Sequence, residues 1–226
     1  MRIPFTLVLA SQSPRRSSLL TQALLPFTIK VSSFDEASIR PQKQSLGAVA
    51  YVSLSAHSKA SDVCSDTGVD GPWVVLGCDT VVASPSGAIL EKPTSEEEAK
   101  GHLRMLSGST HKVYTGVSLI TSWGEEKTWV QSTDVTFREL GEGEIGDYVA
   151  SGEPMDKAGS YGIQGAGGVF VQEVSDTAKR PGADDDAALF RRRPTRWRRR
   201  SRRTSCRRPC SSLRWIRGSL HPTPRS

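Results

Sequence analysis

The sequence predicts an α/β protein, because apolar runs of strand length alternate with segments whose apolar residues follow a helical period. The chain opens with a strand, a turn and a helix within residues 7–24. Residues 73–82 are its most hydrophobic run and predict a central strand that is buried on both faces. Between them, residues 46–63 carry apolar side chains at roughly helical spacing, as expected for a helix that covers a sheet.

The first strand, at residues 7–10, leads into a Ser-rich turn and a helix. Ser13 is a good N-cap, and Pro14 suits the first helical position, where its missing N–H costs nothing. Arg15 and Arg16 then fall in the first turn, beside the positive end of the helix dipole, which disfavours cations unless an anion shares the site. The pattern predicts a phosphate cradle. The alternative is a solvated arginine pair on a surface helix.

Two adjacent carboxylates follow the second predicted strand. Residues 27–33 alternate apolar and polar side chains, which predicts a half-buried strand, and Asp35 and Glu36 come at its end. Such a pair belongs either to a functional site or to a solvated turn.

Asp79 interrupts the most hydrophobic run of the chain. An ionised carboxylate there is costly unless it is paired or bound to a metal, although it could instead cap a neighbouring loop. The chain then turns at residues 85–87 and returns as residues 88–93, which predicts a hairpin. This hairpin brings Glu91 and Lys92 back to the neighbourhood of Asp79.

The second half of the chain predicts five further elements: a helix with a capping box from Ser95 to Glu98 that ends before Gly108, strands at 111–120 and 128–137, a helix at 142–150, and a short strand at 169–171. The glycine-rich residues 152–168 follow no strand-to-helix turn, so they are not a dinucleotide fingerprint. Their polar groups Asp156, Lys157 and Gln164 stand on a backbone that can approach a ligand closely.

Charge divides the chain into two parts. From Lys179 onward there are 16 Lys and Arg against 3 Asp, a net charge of +13, whereas the preceding residues carry 14 basic and 21 acidic side chains. We therefore predict a domain over residues 1–176 and a basic, disordered tail over residues 177–226. The tail either contacts nucleic acid or another polyanion, or has no selected role, as after an altered reading frame.

Other global features exclude several classes. Four cysteines without signal-peptide features predict reduced thiols and a cytoplasmic location. No apolar run approaches the roughly 20 residues of a membrane span. Cys206 and Cys210 lack a second pair of ligands, so no zinc site is predicted.

Four ordered blocks together resemble the Maf family of nucleoside triphosphate pyrophosphatases: Ala-Ser-Gln-Ser-Pro-Arg-Arg at 10–16, Gly-Cys-Asp-Thr-Val-Val at 77–82, Ile-Leu-Glu-Lys-Pro at 89–93, and the glycine-rich 152–165. The resemblance implies a mixed α/β sheet wrapped by helices around a deep nucleotide cleft, akin to inosine triphosphate pyrophosphatases. It also implies hydrolysis to the monophosphate and pyrophosphate with Mg²⁺ or Mn²⁺, and suggests a homodimer. With Lys in the third block and Gln in the fourth, the chain is similar to the family members that prefer dTTP and UTP. Modified nucleotides are the alternative substrates.

The resemblance also implies the site residues. Asp79 is expected to be catalytic and to hold the metal together with Glu36. The residues expected to bind substrate are Ser11, Ser13, Arg15, Arg16, Lys59, Lys92, Asp156, Lys157 and Gln164. Cleavage between the α and β phosphates needs such cations and a base that orients water.

The end of the chain departs from the family pattern. The family carries an Asn-Val-Val-Gly-Leu-Pro-Leu-like block and a closing helix after its last strand, and here the Arg-rich tail stands in that place. The rival hypothesis is therefore an inactive or weakly active isoform whose tail binds nucleic acid or another polyanion.

Overall fold

A mixed sheet of seven strands organises residues 3–176, the part of the chain that the computed structural model describes. Its strands are β1 Thr6–Leu9, β2 Phe27–Ile29, β3 Trp73–Ala83, β4 Ile89–Leu90, β5 Thr110–Thr121, β6 Glu126–Phe137 and β7 Val171–Asp176. They lie in the order β2-β1-β3-β5-β6-β7, with β4 paired to β3. Strand β1 runs parallel to β2 and β3, and the other pairs are antiparallel. The predicted mixed α/β class is confirmed.

Four α-helices accompany the sheet within the described residues: α1 Pro14–Gln22, α2 Lys43–Cys64, α3 Glu96–Leu106 and α4 Glu142–Ala150. Helix α2 is kinked at Gly47, whose φ of 72° lies in the left-handed region that favours glycine. No helix among residues 3–176 is both long enough and apolar enough to cross a membrane.

Helix α3 begins as the sequence predicts, with one difference. The Ser95 hydroxyl accepts a hydrogen bond from the Glu98 N–H at 3.1 Å. The Glu98 carboxylate, however, accepts from both the N–H and the hydroxyl of Thr94, each at 2.7 Å. The capping interaction therefore extends one residue further back than a standard capping box.

On one of its two sides, strand β3 is paired with other strands along only part of its length. There, β1 covers residues 73–76 and β4 covers Val82 and Ala83, so residues 77–81 have no strand partner among the described residues. On the other side β3 pairs continuously with β5, and Asp79 lies opposite Gly116. We call residues 77–81 the strand gap. Asp79 stands at its centre.

Two predicted strand boundaries were wrong. The alternating residues 27–33 form a strand only over Phe27–Ile29. Residues 169–171 were expected to be a strand, but Ala166–Phe170 form a 3-10 helix and β7 runs over Val171–Asp176. Val169 is 67% exposed while Phe170 is buried in the core, an arrangement that follows from the tight glycine-rich turn. Residues 177–226 lie outside the described part, so the predicted domain boundary and basic tail stay predictions.

His111 on β5 packs in the apolar core between the sheet and helices α3 and α4. Its side chain is 1% exposed and makes edge contacts with the rings of Phe137 and Tyr161. Its Nε2 lies 2.8 Å from the Tyr161 hydroxyl, and its Nδ1 has no hydrogen-bond partner among the described residues. Burial lowers the pKa of His111 to about 4, because the charged ring would lose its hydration.

This histidine is expected to make stability fall in mild acid. The unfolded chain has the ordinary pKa of 6.5, so it binds the proton before the folded chain does. Stability from this group is complete above pH ~6.5 and is lost progressively down to about pH 4, by roughly 3 kcal/mol in total. Urea unfolding at several pH values measures it. The variant His111→Phe/Tyr161→Phe, which removes both polar groups, should flatten the dependence, and an unchanged slope would contradict this account.

Candidate active site

Lys59 of α2 joins two of the predicted acidic residues. Its Nζ lies 3.0 Å from Asp79 Oδ1 and 3.0 Å from Glu36 Oε1. The side chains of Lys59 and Asp79 are 11% and 14% exposed, whereas Glu36 is 51% exposed. The buried charge of Asp79 is thus paired with an ammonium rather than used to cap a loop. Buried charges need such pairing.

Helix α2 reaches Asp79 because two glycines let it lie directly on the sheet. A Cβ on Gly77 would overlap the carbonyl oxygen of Ala56, and a Cβ on Gly116 would lie 2.5 Å from the Val52 carbonyl oxygen. Lys59 follows Ala56 by about one helical turn, so this close approach brings its ammonium to the strand gap.

Asp62 holds the segment that carries Glu36 against the same helix. Its carboxylate accepts hydrogen bonds from the Ser33 N–H at 2.6 Å and from the Ser32 hydroxyl at 2.9 Å. Burial raises the pKa of Asp62, but these hydrogen bonds outweigh it and leave that pKa below its usual value. Helix α2 thereby positions both Lys59 and the chain that leads to Glu36.

The turn before α1 brings Ser11 and Arg16 together. Arg16 Nη1 donates to Ser11 Oγ at 2.9 Å, and the Ser13 N–H donates to the same oxygen at 3.2 Å. Ser13 is the N-cap, as predicted, but its side chain makes no capping hydrogen bond. The first turn of α1 contains no acidic residue. Its positive end therefore carries Arg15 and Arg16 without a carboxylate in the same turn.

Arg15 contacts the glycine-rich segment. Its Nη1 lies 3.7 Å from Asp156 Oδ2, and both side chains are largely exposed. Asp156 Oδ1 also accepts from Lys157 Nζ at 2.6 Å. The hydrogen bond from Lys157 is the main cause that lowers the pKa of Asp156, and Arg15 adds to it. Residues from the first and last predicted blocks are thus neighbours.

The turn before α1 adjoins the strand gap, which contains Cys78, because the Ala10 N–H donates to the Leu76 carbonyl at 2.9 Å. Burial raises the pKa of this thiol, while the nearby charges of Arg16 and Lys59 act to lower it and that of Asp79 acts to raise it. The turn that carries Ser11 and Arg16 and the strand gap that carries Asp79 are thus neighbours.

Glu91 anchors the hairpin beside Asp79, as the sequence predicts. Its Oε1 accepts from the Tyr51 hydroxyl at 2.8 Å, and its Oε2 pairs with Lys43 at 3.1 Å and Arg40 at 3.3 Å. Burial raises the pKa of Tyr51, and the charges of Glu91 and Asp79 raise it further. Sequence analysis singled out neither Tyr51, Lys43 nor Arg40, because no local pattern marks them.

Two predicted residues are exposed and have no side-chain partner among residues 3–176. Lys92 follows Glu91 directly, and the Glu91 carbonyl accepts from the Gly159 N–H at 3.2 Å, which joins this hairpin to the glycine-rich segment. Gln164 stands on the loop of residues 162–168. Both side chains are therefore available to a ligand, whereas Lys59 and Arg16 already have protein partners.

Glu153 is a residue of this region that sequence analysis did not single out. Its carboxylate lies inside the loop of residues 162–168, where a Cβ on Gly165 would overlap it. The sequence signal for Glu153 is that it precedes a loop, residues 162–168, in which four of seven residues are glycine.

Asp79 and Glu36 suit a magnesium ion that is completed by substrate. Among the described residues, no three His, Cys, Asp or Glu side chains are grouped closely enough to hold a metal. Two carboxylates do converge on one cation, the Lys59 ammonium, and the other oxygen of each has no hydrogen-bond partner in that part of the chain. Mg²⁺ typically binds one or two carboxylates together with substrate phosphates, so this donor set fits the implied ion.

Comparison with known proteins identifies the relatives of the chain. Residues 6–179 match the family model described as Maf-like protein. The dTTP/UTP pyrophosphatase of Bacillus cereus strain B4264 is 48% identical over 170 residues, which cover 74% of this chain and 83% of that protein. The dTTP/UTP pyrophosphatase of Bacillus thuringiensis subsp. konkukian is 47% identical over 168 residues, with the same coverage. The crystal structure of a nucleoside-triphosphatase / dITP/XTP pyrophosphatase from Mycobacterium abscessus matches with a TM-score of 0.36 and 14% identity, over 60% of this chain and 76% of that one.

Proposed function

Because the chain belongs to the Maf family, we propose that it is a nucleoside triphosphate pyrophosphatase that hydrolyses dTTP and UTP to the monophosphate and pyrophosphate. The observation that carries this proposal is that the Ala10 N–H donates to the Leu76 carbonyl at 2.9 Å, so that the turn holding Ser11 and Arg16 adjoins the strand gap, where Asp79 pairs with Lys59. Phosphate binding and water activation need these two kinds of group within one site.

The triphosphate binds at the start of α1. Arg15, Arg16 and Lys92 neutralise its charge, and backbone N–H groups of the helix end and the hydroxyls of Ser11 and Ser13 donate to its oxygens. Arg16 is held by Ser11 in advance, so little conformational entropy is lost when it binds a phosphate. Arg15 exchanges its long contact with Asp156 for the ligand.

Asp79 acts as the base that orients and deprotonates the attacking water. The water oxygen attacks the α-phosphorus, the bond to the bridging oxygen breaks, pyrophosphate leaves, and the water proton passes to the carboxylate. Lys59 holds Asp79 in place from the side of α2 through their ion pair at 3.0 Å. A bound Mg²⁺ or Mn²⁺ on Asp79 and Glu36 would neutralise phosphate charge there.

The base is recognised by the glycine-rich segment. The Gln164 amide has both a donor and an acceptor, which suit the N3 and O4 edge of uracil or thymine. Asp156 and Lys157 line the same segment between Gln164 and the phosphates. Modified pyrimidines share this edge and fit the same contact.

A nucleotide panel tests the proposal. With Mg²⁺ or Mn²⁺ present, UTP and dTTP are expected to release pyrophosphate and the nucleoside monophosphate faster than ATP or GTP. Chelation with EDTA is expected to abolish the release. Formation of orthophosphate and a diphosphate, or equal rates without a metal, would contradict the mechanism. The homodimer and a nucleic-acid contact through residues 177–226 stay predictions.

Arg16→Ala is expected to weaken triphosphate binding about tenfold or more, because a charge-assisted hydrogen bond contributes roughly 1.5–3 kcal/mol. Isothermal titration with α,β-methylene-UTP measures the loss. Uridine alone should bind equally well to both forms. Arg104→Ala is the matched control, since that arginine pairs with Glu142 between α3 and α4. An affinity unchanged by Arg16→Ala would show that the guanidinium serves only to hold Ser11.

A further inference from the structure

The loop of residues 162–168 is wrapped around the Glu153 carboxylate. The Ala166 N–H donates to Glu153 Oε2 at 2.9 Å, and the Tyr148 hydroxyl donates to Oε1 at 3.1 Å. Tyr148 in turn accepts from the Gly162 N–H at 3.2 Å. A Cβ on Gly165 would overlap Oε1 and lie 2.7 Å from the carboxylate carbon. Glu153 and Tyr148 therefore hold the loop on both sides of Gln164.

Few other interactions order the part of this loop that carries Gln164. Apart from the 3-10 helix that begins at Ala166, its backbone makes two short turn contacts, from the Gly165 N–H to the Gly162 carbonyl at 3.0 Å and from the Gly168 N–H to the Gly165 carbonyl at 3.1 Å. Residues 163–166 are exposed. Four of the seven residues are glycine, which lose more conformational entropy on ordering than other residues. Without the carboxylate, the loop would have few interactions to offset that loss.

The hydrogen bonds favour an ionised Glu153. Burial raises the pKa of this carboxyl, but the N–H of Ala166, the Tyr148 hydroxyl and the N–H of Gly167 outweigh burial and leave the pKa below its usual value. The Glu153 carbonyl also accepts from Lys157 Nζ at 2.7 Å. One residue thus connects the loop of Gln164 with the segment that contacts Arg15 of α1.

We propose that Glu153 is a positioning residue for base recognition, which holds the loop of residues 162–168 so that Gln164 meets the base at a fixed place. The inference rests on the proposed function, because it takes Gln164 as the contact to the base. Glu153 itself touches neither the base nor the phosphates. Its loss should therefore reduce discrimination between bases more than it reduces phosphate binding.

Equilibrium binding of α,β-methylene-UTP and α,β-methylene-CTP tests this without requiring turnover. Glu153→Ala is expected to lower the ratio of the two affinities at least about tenfold, mainly by weakening the uridine analogue. Glu153→Gln should keep the ratio within about threefold, because its amide oxygen can accept from Ala166 and its NH₂ can donate to the Tyr148 oxygen. Glu139→Ala, at an exposed glutamate outside the loop, is the control and should change nothing.

A double-mutant cycle separates positioning from general stability. If Glu153 acts through Gln164, the variant Glu153→Ala/Gln164→Ala should discriminate no worse than Gln164→Ala alone. Two outcomes would overturn the inference. In the first, the losses of discrimination caused by Glu153→Ala and by Gln164→Ala multiply in the double variant. In the second, Glu153→Ala leaves the ratio of the two affinities unchanged. Should Glu153→Ala not fold, Gly165→Ala replaces it in the cycle, since its Cβ displaces the loop from the same carboxylate.

The same measurements distinguish this inference from the proposed function. If the protein discriminates between the analogues through Glu153 but releases no pyrophosphate from UTP, the inference stands and the proposed activity is wrong. If the protein hydrolyses UTP but the effects of Glu153→Ala and Gln164→Ala on discrimination multiply, the proposed activity stands and the inference is wrong. Equal binding of both analogues by the unchanged protein would overturn the inference at once.

Discussion

Asp79→Asn is expected to lower kcat for UTP by about 10²–10⁴, the usual contribution of a positioned acid–base group. Asparagine has nearly the same shape but cannot accept the water proton, and it is a poorer ligand for a divalent cation. The Lys59 ammonium keeps its contact with Glu36 at 3.0 Å. The site therefore loses one negative charge, while the other side chains keep their positions. Affinity for α,β-methylene-UTP should therefore stay largely intact.

The measurement combines steady-state kinetics with analogue binding and a urea unfolding curve. Asp134→Asn is the matched control, because Asp134 on β6 is also a largely buried aspartate paired with a lysine, Lys112 at 2.6 Å. It should lose some stability but little kcat. If Asp79→Asn kept a kcat near that of the unchanged enzyme, Asp79 would be a structural partner of Lys59, and the proposed base would be wrong.

Gly77→Ala is expected to destabilise the fold and also to reduce activity. The added Cβ would overlap the Ala56 carbonyl oxygen and lie 2.8 Å from the Ala60 nitrogen, and these backbone atoms of α2 cannot swing aside. Overpacking typically costs about 1–3 kcal/mol, and a rigid helix backbone places this substitution at the upper end. Helix α2 must move away from β3, which separates Lys59 from Asp79.

Urea unfolding and kcat are measured on the same preparations. Gly101→Ala in α3 is the control, because a Cβ there meets no heavy atom within 4 Å, and alanine in a helix interior should stabilise by roughly 0.5–1 kcal/mol. Gly116→Ala, which approaches α2 from β5, should resemble Gly77→Ala. A Gly77→Ala protein of unchanged stability would mean that α2 does not rest on the sheet as closely as described.

Local sequence patterns determined most elements of the fold, because each depends on residues close together in the chain. The predicted bounds of α3, α4 and the long strands β3, β5 and β6 agree with the structure to within a few residues. The cost of burying a charge marked Asp79 as a paired group before its partner was known. Ser13 and Pro14 marked the start of α1 through backbone requirements that need no tertiary contact.

Only the tertiary structure decided how these parts form a site. The partner of Asp79 lies 20 residues earlier on a helix, and two glycines on neighbouring strands set the distance between them. The strand gap exists because β1 ends before β3 does and β4 begins beyond it, a matter of register between strands that are distant in sequence. No local pattern marks Glu153 either, because its role depends on contacts with a loop that follows about ten residues later and folds back over its carboxylate. Periodicity describes which face of an element is buried, whereas the partners of that face depend on long-range packing.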